Sequence, residues 1–121
     1  MKNKNEVLRL SFAFAVRIVR LCDYLKKEKK EYMLSRQLLR AGTSIGANVT
    51  EAQDAQSKKD FISKISIALK EAKETRYWIA LLVETDYLPQ DHERVISLRK
   101  ELDSIIRLLS SINISAKKAL S

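Results

Sequence analysis

Apolar residues in this chain recur every three or four positions, and the pattern is interrupted at only three places. Lys26 to Glu31 is a run of charges, Ser57-Lys58-Lys59-Asp60 sets a hydroxyl three residues before an acid, and Asp86 to Gln90 holds the single proline. Each is a helix boundary on chemical grounds. The first is a solvated charge cluster, the second a capping box with Asp in place of Glu, and the third a residue suited to a helix start. The spacing predicts four helices over residues 4–27, 32–55, 58–85 and 90–118. Connectors this short make consecutive helices antiparallel neighbours.

In the fourth segment Val95, Leu98, Leu102, Ile105, Leu109, Ile112 and Ala116 form a heptad seam. The third carries Phe61, Ile65, Ala68, Ala72, Thr75, Ile79 and Leu82, and the second Leu34, Leu38, Ala41, Ile45, Asn48 and Ala52. Such seams close into an all-α, antiparallel, up-down-up-down four-helix bundle with left-handed, coiled-coil-like packing, one domain over residues 1–121. The first segment has two seams. Leu8, Phe12, Ala15, Val19 and Cys22 form one, and Val7, Phe14, Ile18, Leu21 and Leu25 the other. Together they cover about 200° of the helix, more than a surface helix needs. One seam can face the bundle core, and the other calls for a further partner, most simply a second copy of the chain. The competing reading makes this helix the most buried one of a monomer. Gly42 and Gly46 lie four apart on one face of the second helix, at a propensity cost of up to about 1 kcal/mol each relative to Ala. Close approach of another backbone would offset that cost.

Charge changes the picture for one third of the chain. The 121 residues carry 23 basic and 15 acidic side chains, a net of +8. Residues 1–40 alone hold eleven basic and four acidic groups, a net of +7. On the first helix Lys2, Arg9, Arg17, Arg20 and Lys27 fall within about 80° of arc at helical periodicity. With Lys26, Lys29 and Lys30 in the connector, and Arg36 and Arg40 on the second helix, they make a candidate stripe for phosphate contacts to RNA or DNA. The plainer reading of such a stripe is a solvated helix face.

Little supports catalysis. One His and one Cys leave no acid–base pair, no disulfide and no metal-ligand set, so no catalytic residue, metal site or cofactor is expected. A di-iron bundle needs Glu-x-x-His pairs, yet Pro89 stands three residues before His92. His92 reads as an exposed side chain in the first turn of the fourth helix, and Cys22 as a buried, inert thiol. A helical wheel places Arg76 in the apolar stripe of the third helix, which calls for a buried ion pair with Glu51, or else a ligand's phosphate. Asn48 reads as a register-setting polar group in the core. Tyr77 and Trp78 fall away from the apolar stripe, half-exposed or covered by another subunit. The run from Leu10 to Val16 is too short to span a bilayer and no cleavage site follows it, so no membrane role and a cytoplasmic location are expected.

One stretch is more specific. Leu38 to Glu51 (LLRAGTSIGANVTE), with Lys59-Asp60-Phe61, Ile67 to Ala72, Glu74-Thr75 and Tyr77-Trp78, resembles the 23S rRNA intervening-sequence four-helix-bundle protein family. The matching positions are Arg40, Ala41, Ser44, Ile45, Asn48, Val49, Glu51 and Phe61, with Asp86-Tyr87-Leu88 where the family closes on Gly-Tyr-Leu. Asp86 in place of that Gly is one departure, and Gln53 without the usual Glu-Gly is the other. The resemblance implies an antiparallel bundle assembling as a homopentameric ring. It also implies kinship with the accessory protein of diversity-generating retroelements, which binds nucleic acid and a reverse transcriptase. It brings no catalytic residues with it.

The resulting expectation is a non-enzymatic homo-oligomer, a pentamer by resemblance, that binds RNA or DNA through Arg9, Arg17, Arg20, Lys26, Lys27, Lys29, Lys30, Arg36 and Arg40. The alternative is a scaffold whose basic surface holds an acidic protein partner, with a reverse transcriptase or another protein as candidates.

Overall fold

Helix α1 spans Lys2–Glu28, α2 Met33–Gln53, α3 Lys58–Glu84 and α4 Glu93–Leu120 in a computed structural model that describes residues 2–121. The side chain of Lys2, one of the cations expected on the basic face, lies outside the described residues. Each helix packs on its sequence neighbours and α4 returns to α1, which makes a four-helix bundle. Facing residues run in opposite orders. Gly46, Gly42 and Ser35 of α2 meet Ser11, Ile18 and Cys22 of α1, and Glu51 and Arg40 of α2 meet Lys64 and Glu71 of α3. Among the described residues no helix is long and apolar enough to cross a membrane.

The seams of α3 and α4 fill the core. Ile65, Ala68, Ala72, Thr75, Ile79 and Leu82 are buried, as are Val95, Leu98, Leu102, Ile105, Leu109 and Ile112. In α2 the buried stripe is rotated toward Val49 and the two glycines. Asn48 is therefore half-buried rather than core, and its Nδ2 donates to the Ser44 carbonyl at 2.8 Å. The glycines do bring α1 close. A Cβ on Gly42 would lie 2.8 Å from Ile18 Cγ2, and one on Gly46 would lie 3.2 Å from the Ser11 carbonyl oxygen.

Of the two seams on α1, Val7, Phe14, Ile18 and Leu25 face inward and are fully buried. Cys22 turns inward with them. Its Sγ donates to the Ser35 carbonyl at 3.3 Å, and burial pushes the thiol from 9.0 up to about 11. Nearby Lys26 lowers it less than that, and Glu31 adds a smaller upward push. The thiolate is thus disfavoured at neutral pH, as a structural cysteine requires. In the seam of Leu8, Phe12, Ala15, Val19 and Cys22, Leu8 and Ala15 are half-buried while Phe12 and Val19 stay outside, 71% and 50% exposed, and Val16, a member of neither seam, is 36% exposed beside them.

The boundaries depart from the sequence pattern for local reasons. Pro89 opens a turn closed by His92 N–H donating to its carbonyl at 3.3 Å, so α4 begins at Glu93 instead of residue 90. His92 is the N-cap, its Nδ1 accepting from Arg94 N–H at 3.1 Å. At the start of α3 the Ser57 hydroxyl accepts from Asp60 N–H at 3.0 Å, while Asp60 reaches back to Gln56 N–H at 3.2 Å. This is the expected capping box with its return bond shifted by one residue.

The Lys26–Glu31 run is not wholly solvated. Glu31 is buried, and its carboxylate accepts from the backbone N–H groups of Met33, Leu34 and Ser35 at 3.2, 2.9 and 2.7 Å. Three of the four donors that a helix start leaves unpaired are thereby satisfied by one acid. Ser35 Oγ donates back to the Glu31 carbonyl at 2.9 Å. The preceding helix ends with Lys30 at φ 54° and Glu31 N–H bonded to the Leu25 carbonyl at 3.0 Å, a left-handed closure one residue wider than a Schellman motif. Helix α3 ends alike. Asp86 has φ 67°, and both Tyr87 and Leu88 N–H bond to the Leu82 carbonyl. Asp86 occupies the left-handed position that glycine fills most easily, which explains the Gly of the resembling pattern.

Candidate nucleic-acid interface

The nine cations expected to meet phosphate divide into bound and free groups. Arg17 is a clip between α1 and α4. Its Nη1 donates to Glu101 Oε2 at 2.9 Å and to Ser97 Oγ at 3.2 Å, and its Nη2 donates to the Arg94 carbonyl at 3.1 Å. The other carboxylate oxygen of Glu101 is buried and has no partner among the described residues. That makes the guanidinium harder to withdraw, because its loss would leave a half-buried carboxylate unpaired.

Arg40 is a second clip, between α2 and α3. Its Nη1 is 3.3 Å from both oxygens of Glu71, and its Nη2 pairs with Glu74. Glu74 also accepts from the Trp78 indole N–H at 3.2 Å, so four residues of the recognised sequence stretch form one polar network. Trp78 packs against the core cluster beneath this network, whereas Tyr77 stays exposed and meets its ring edge-on at 5.0 Å. The half-exposed pair expected from the sequence is thus one packed indole and one exposed phenol. Lys27 makes the i,i+4 pair with Asp23 at 3.2 Å, both side chains well exposed, an interaction of little energetic weight.

Arg9, Arg20, Lys26, Lys29, Lys30 and Arg36 are exposed and form no ion pair among the described residues. Arg9 and Arg20 lie on α1 beside the Phe12, Val16 and Val19 stripe, and the three lysines lie at its C-terminal end and in the turn toward α2. The chemistry these exposed cations offer is charge-assisted contact with an anion.

The expected ion pair of Arg76 with Glu51 does not form. Arg76 is exposed and Glu51 instead pairs with Lys64 at 3.2 Å. The α3 stripe is centred near Ala72, Thr75 and Ile79, and at helical periodicity Arg76 lies about 60° to its side. There it borders a small crevice floored by Ile79 and Leu102, facing Arg99 and Asp103.

No functionally curated protein matches the chain. A crystal structure at 1.70 Å of a protein with unknown function, from the S23 ribosomal protein family of Bacteroides thetaiotaomicron VPI-5482, superposes with a TM-score of 0.88. It is 50% identical in sequence, over 92% of this chain and 97% of that one. The family model described as 23S rRNA-intervening sequence protein matches residues 3–111, a span from the first turn of α1 well into α4. By its fold, its quoted sequence stretch and these matches, the chain belongs to the 23S rRNA-intervening sequence protein family.

Proposed function

We propose that the protein is a non-enzymatic, cytoplasmic homo-oligomer that binds RNA or DNA through phosphate contacts, with a pentameric ring as the assembly the family resemblance implies. The observation that carries this reading is the outer face of α1. There Phe12, Val16 and Val19 stand exposed in helical register beside the unpaired Arg9 and Arg20. An apolar stripe of this kind is costly to leave in water and is covered most simply by another copy. Assembly then repeats the cations around one particle. Five copies of +8 carry +40, a field far stronger than one chain provides.

The phosphate-contacting residues in this reading are the free cations Arg9, Arg20, Lys26, Lys29, Lys30 and Arg36, with Lys27 beside them. Arg17 and Arg40 serve the scaffold. Mobility-shift titrations at several salt concentrations test it. Six contacts correspond to a slope of about −5 in log K against log salt on duplex DNA. Charge reversal at Arg9 and Arg20 should remove binding. Absence of binding at low salt, or binding without salt dependence, would overturn the nucleic-acid part, and capture of an acidic protein by the same face would put a scaffold in its place. Light scattering tests the assembly part, which a monomer at micromolar concentration would refute.

A further inference from the structure

At one end of the bundle the helices part. Helices α1 and α3 begin there, α2 and α4 end there, and between them lies an open cleft of about 780 Å³. Pockets that take drug-sized molecules run from about 300 to 1,000 Å³, and the spaces between bundle helices are a usual place for them. Apolar groups form much of its wall, with Ile112, Phe61 and Ala116 beside the hydroxyl-bearing Ser111 and Ser115. Two cations, Lys4 and Lys58, border it, and among the described residues no Asp or Glu does.

One of the lysines is held against the wall by the fold. The Lys4 ammonium rests 4.3 Å from the centroid of the Phe61 ring, a cation–π contact that ties α1 to α3 beside the opening. Lys58 is the first residue of α3. Both sit in the first turn of a helix, where the macrodipole favours acids and opposes cations. Asp60 offsets this in the first turn of α3, whereas no acid does so in α1, and Lys4 set against its own helix start beside an apolar cleft is a break with local rules of the kind found at functional sites.

We propose that this cleft binds a small amphipathic anion, an alkyl or aryl chain with a carboxylate or sulfonate head. The chain lies over Ile112 and Phe61 and the head meets the lysine rim. This reading is independent of assembly and of nucleic acid, because none of its residues belongs to the outer face of α1.

The test uses the full chain and anilinonaphthalene sulfonate fluorescence, with decanoate, decanol and decyltrimethylammonium as competitors. Decanoate should displace the probe, and decanol should be weaker by about tenfold, or about 1.4 kcal/mol, with the cation weaker still. Lys58→Glu puts an acid where a helix start prefers one, so the fold is kept while decanoate affinity falls by about tenfold. Ser115→Trp, at an exposed lining position, should fill the cleft and remove the signal, and Phe12→Gln should leave it intact. Urea melts check that each variant is folded. Equal displacement by decanol, a signal that survives Ser115→Trp, or one that vanishes with Phe12→Gln would each overturn the proposal.

Discussion

Replacing a helical glycine by alanine ordinarily stabilises, and at Gly42 the structure reverses the sign. Helix propensity favours Gly42→Ala by up to about 1 kcal/mol. The new methyl, however, would sit 2.8 and 2.9 Å from Ile18 Cγ2 and Cγ1, distances at which something must move. Ile18 is fully buried and β-branched, and in a helix it keeps one preferred rotamer, so it has little freedom to move aside. Overpacking of this kind costs about 1–3 kcal/mol, which leaves a net loss of about 1 kcal/mol. A second background isolates the clash. Ile18→Ala alone should cost about 2–5 kcal/mol through the cavity it opens. It also removes both clashing carbons, so adding Gly42→Ala to it should restore about 1 kcal/mol. The two substitutions should therefore couple by about 2 kcal/mol, well beyond the error of additivity. Urea unfolding at one fixed protein concentration reads all four variants, with unchanged m-values as the check on two-state behaviour. If Gly42→Ala stabilises equally in both backgrounds, the close approach of α1 and α2 is not what keeps glycine at this position.

Three further outcomes are expected. Glu31→Ala removes the acceptor of three backbone N–H groups and should cost about 2 kcal/mol in urea, more than an ordinary cap. Asp86→Gly relieves a φ of 67° and should raise stability by up to about 1 kcal/mol, whereas Asp86→Val should lower it. The Cys22 thiol titrates near 9.0 when unfolded and about 11 when folded. Its contribution is present in full below pH 9.0 and is lost as pH rises toward about 11, because the unfolded state ionises first. Relative to Cys22→Ala, the parent protein should lose about 1–2 kcal/mol by pH 10, and parallel pH profiles would refute the burial argument.

The four helices were legible because their seams are redundant. In α4 six of the seven positions from Val95 to Ala116 are buried, so an error at any single one would not move the stripe. Helix α1 offered two seams of equal quality, and periodicity alone does not say which one faces in. The choice is made by a neighbour, since only the Ser11 and Ile18 side fits against Gly46 and Gly42. The candidate site was legible as a composition and not as individual residues. Arg17 and Arg40 look like Arg9 and Arg20 in sequence, but their partners Glu101, Glu71 and Glu74 lie on other helices. Glu31 was hidden for a related reason. Among lysines it looks like one more solvated charge, and its role depends on where the turn points the N–H groups of the next helix.

That turn has a consequence for the lysines around it. With Glu31 anchored to the start of α2 and Lys30 set in a left-handed closure, the backbone between α1 and α2 is tied down at both ends. The connector is therefore a preorganised mount for its cations instead of a floppy basic tail. An anion arriving there would not have to order the main chain, which is the larger part of the entropy that a mobile segment loses on binding. Removing the Glu31 carboxylate would loosen Lys29 and Lys30 while making their surroundings one charge more positive, so weaker anion binding in spite of that added charge would expose the part that order plays.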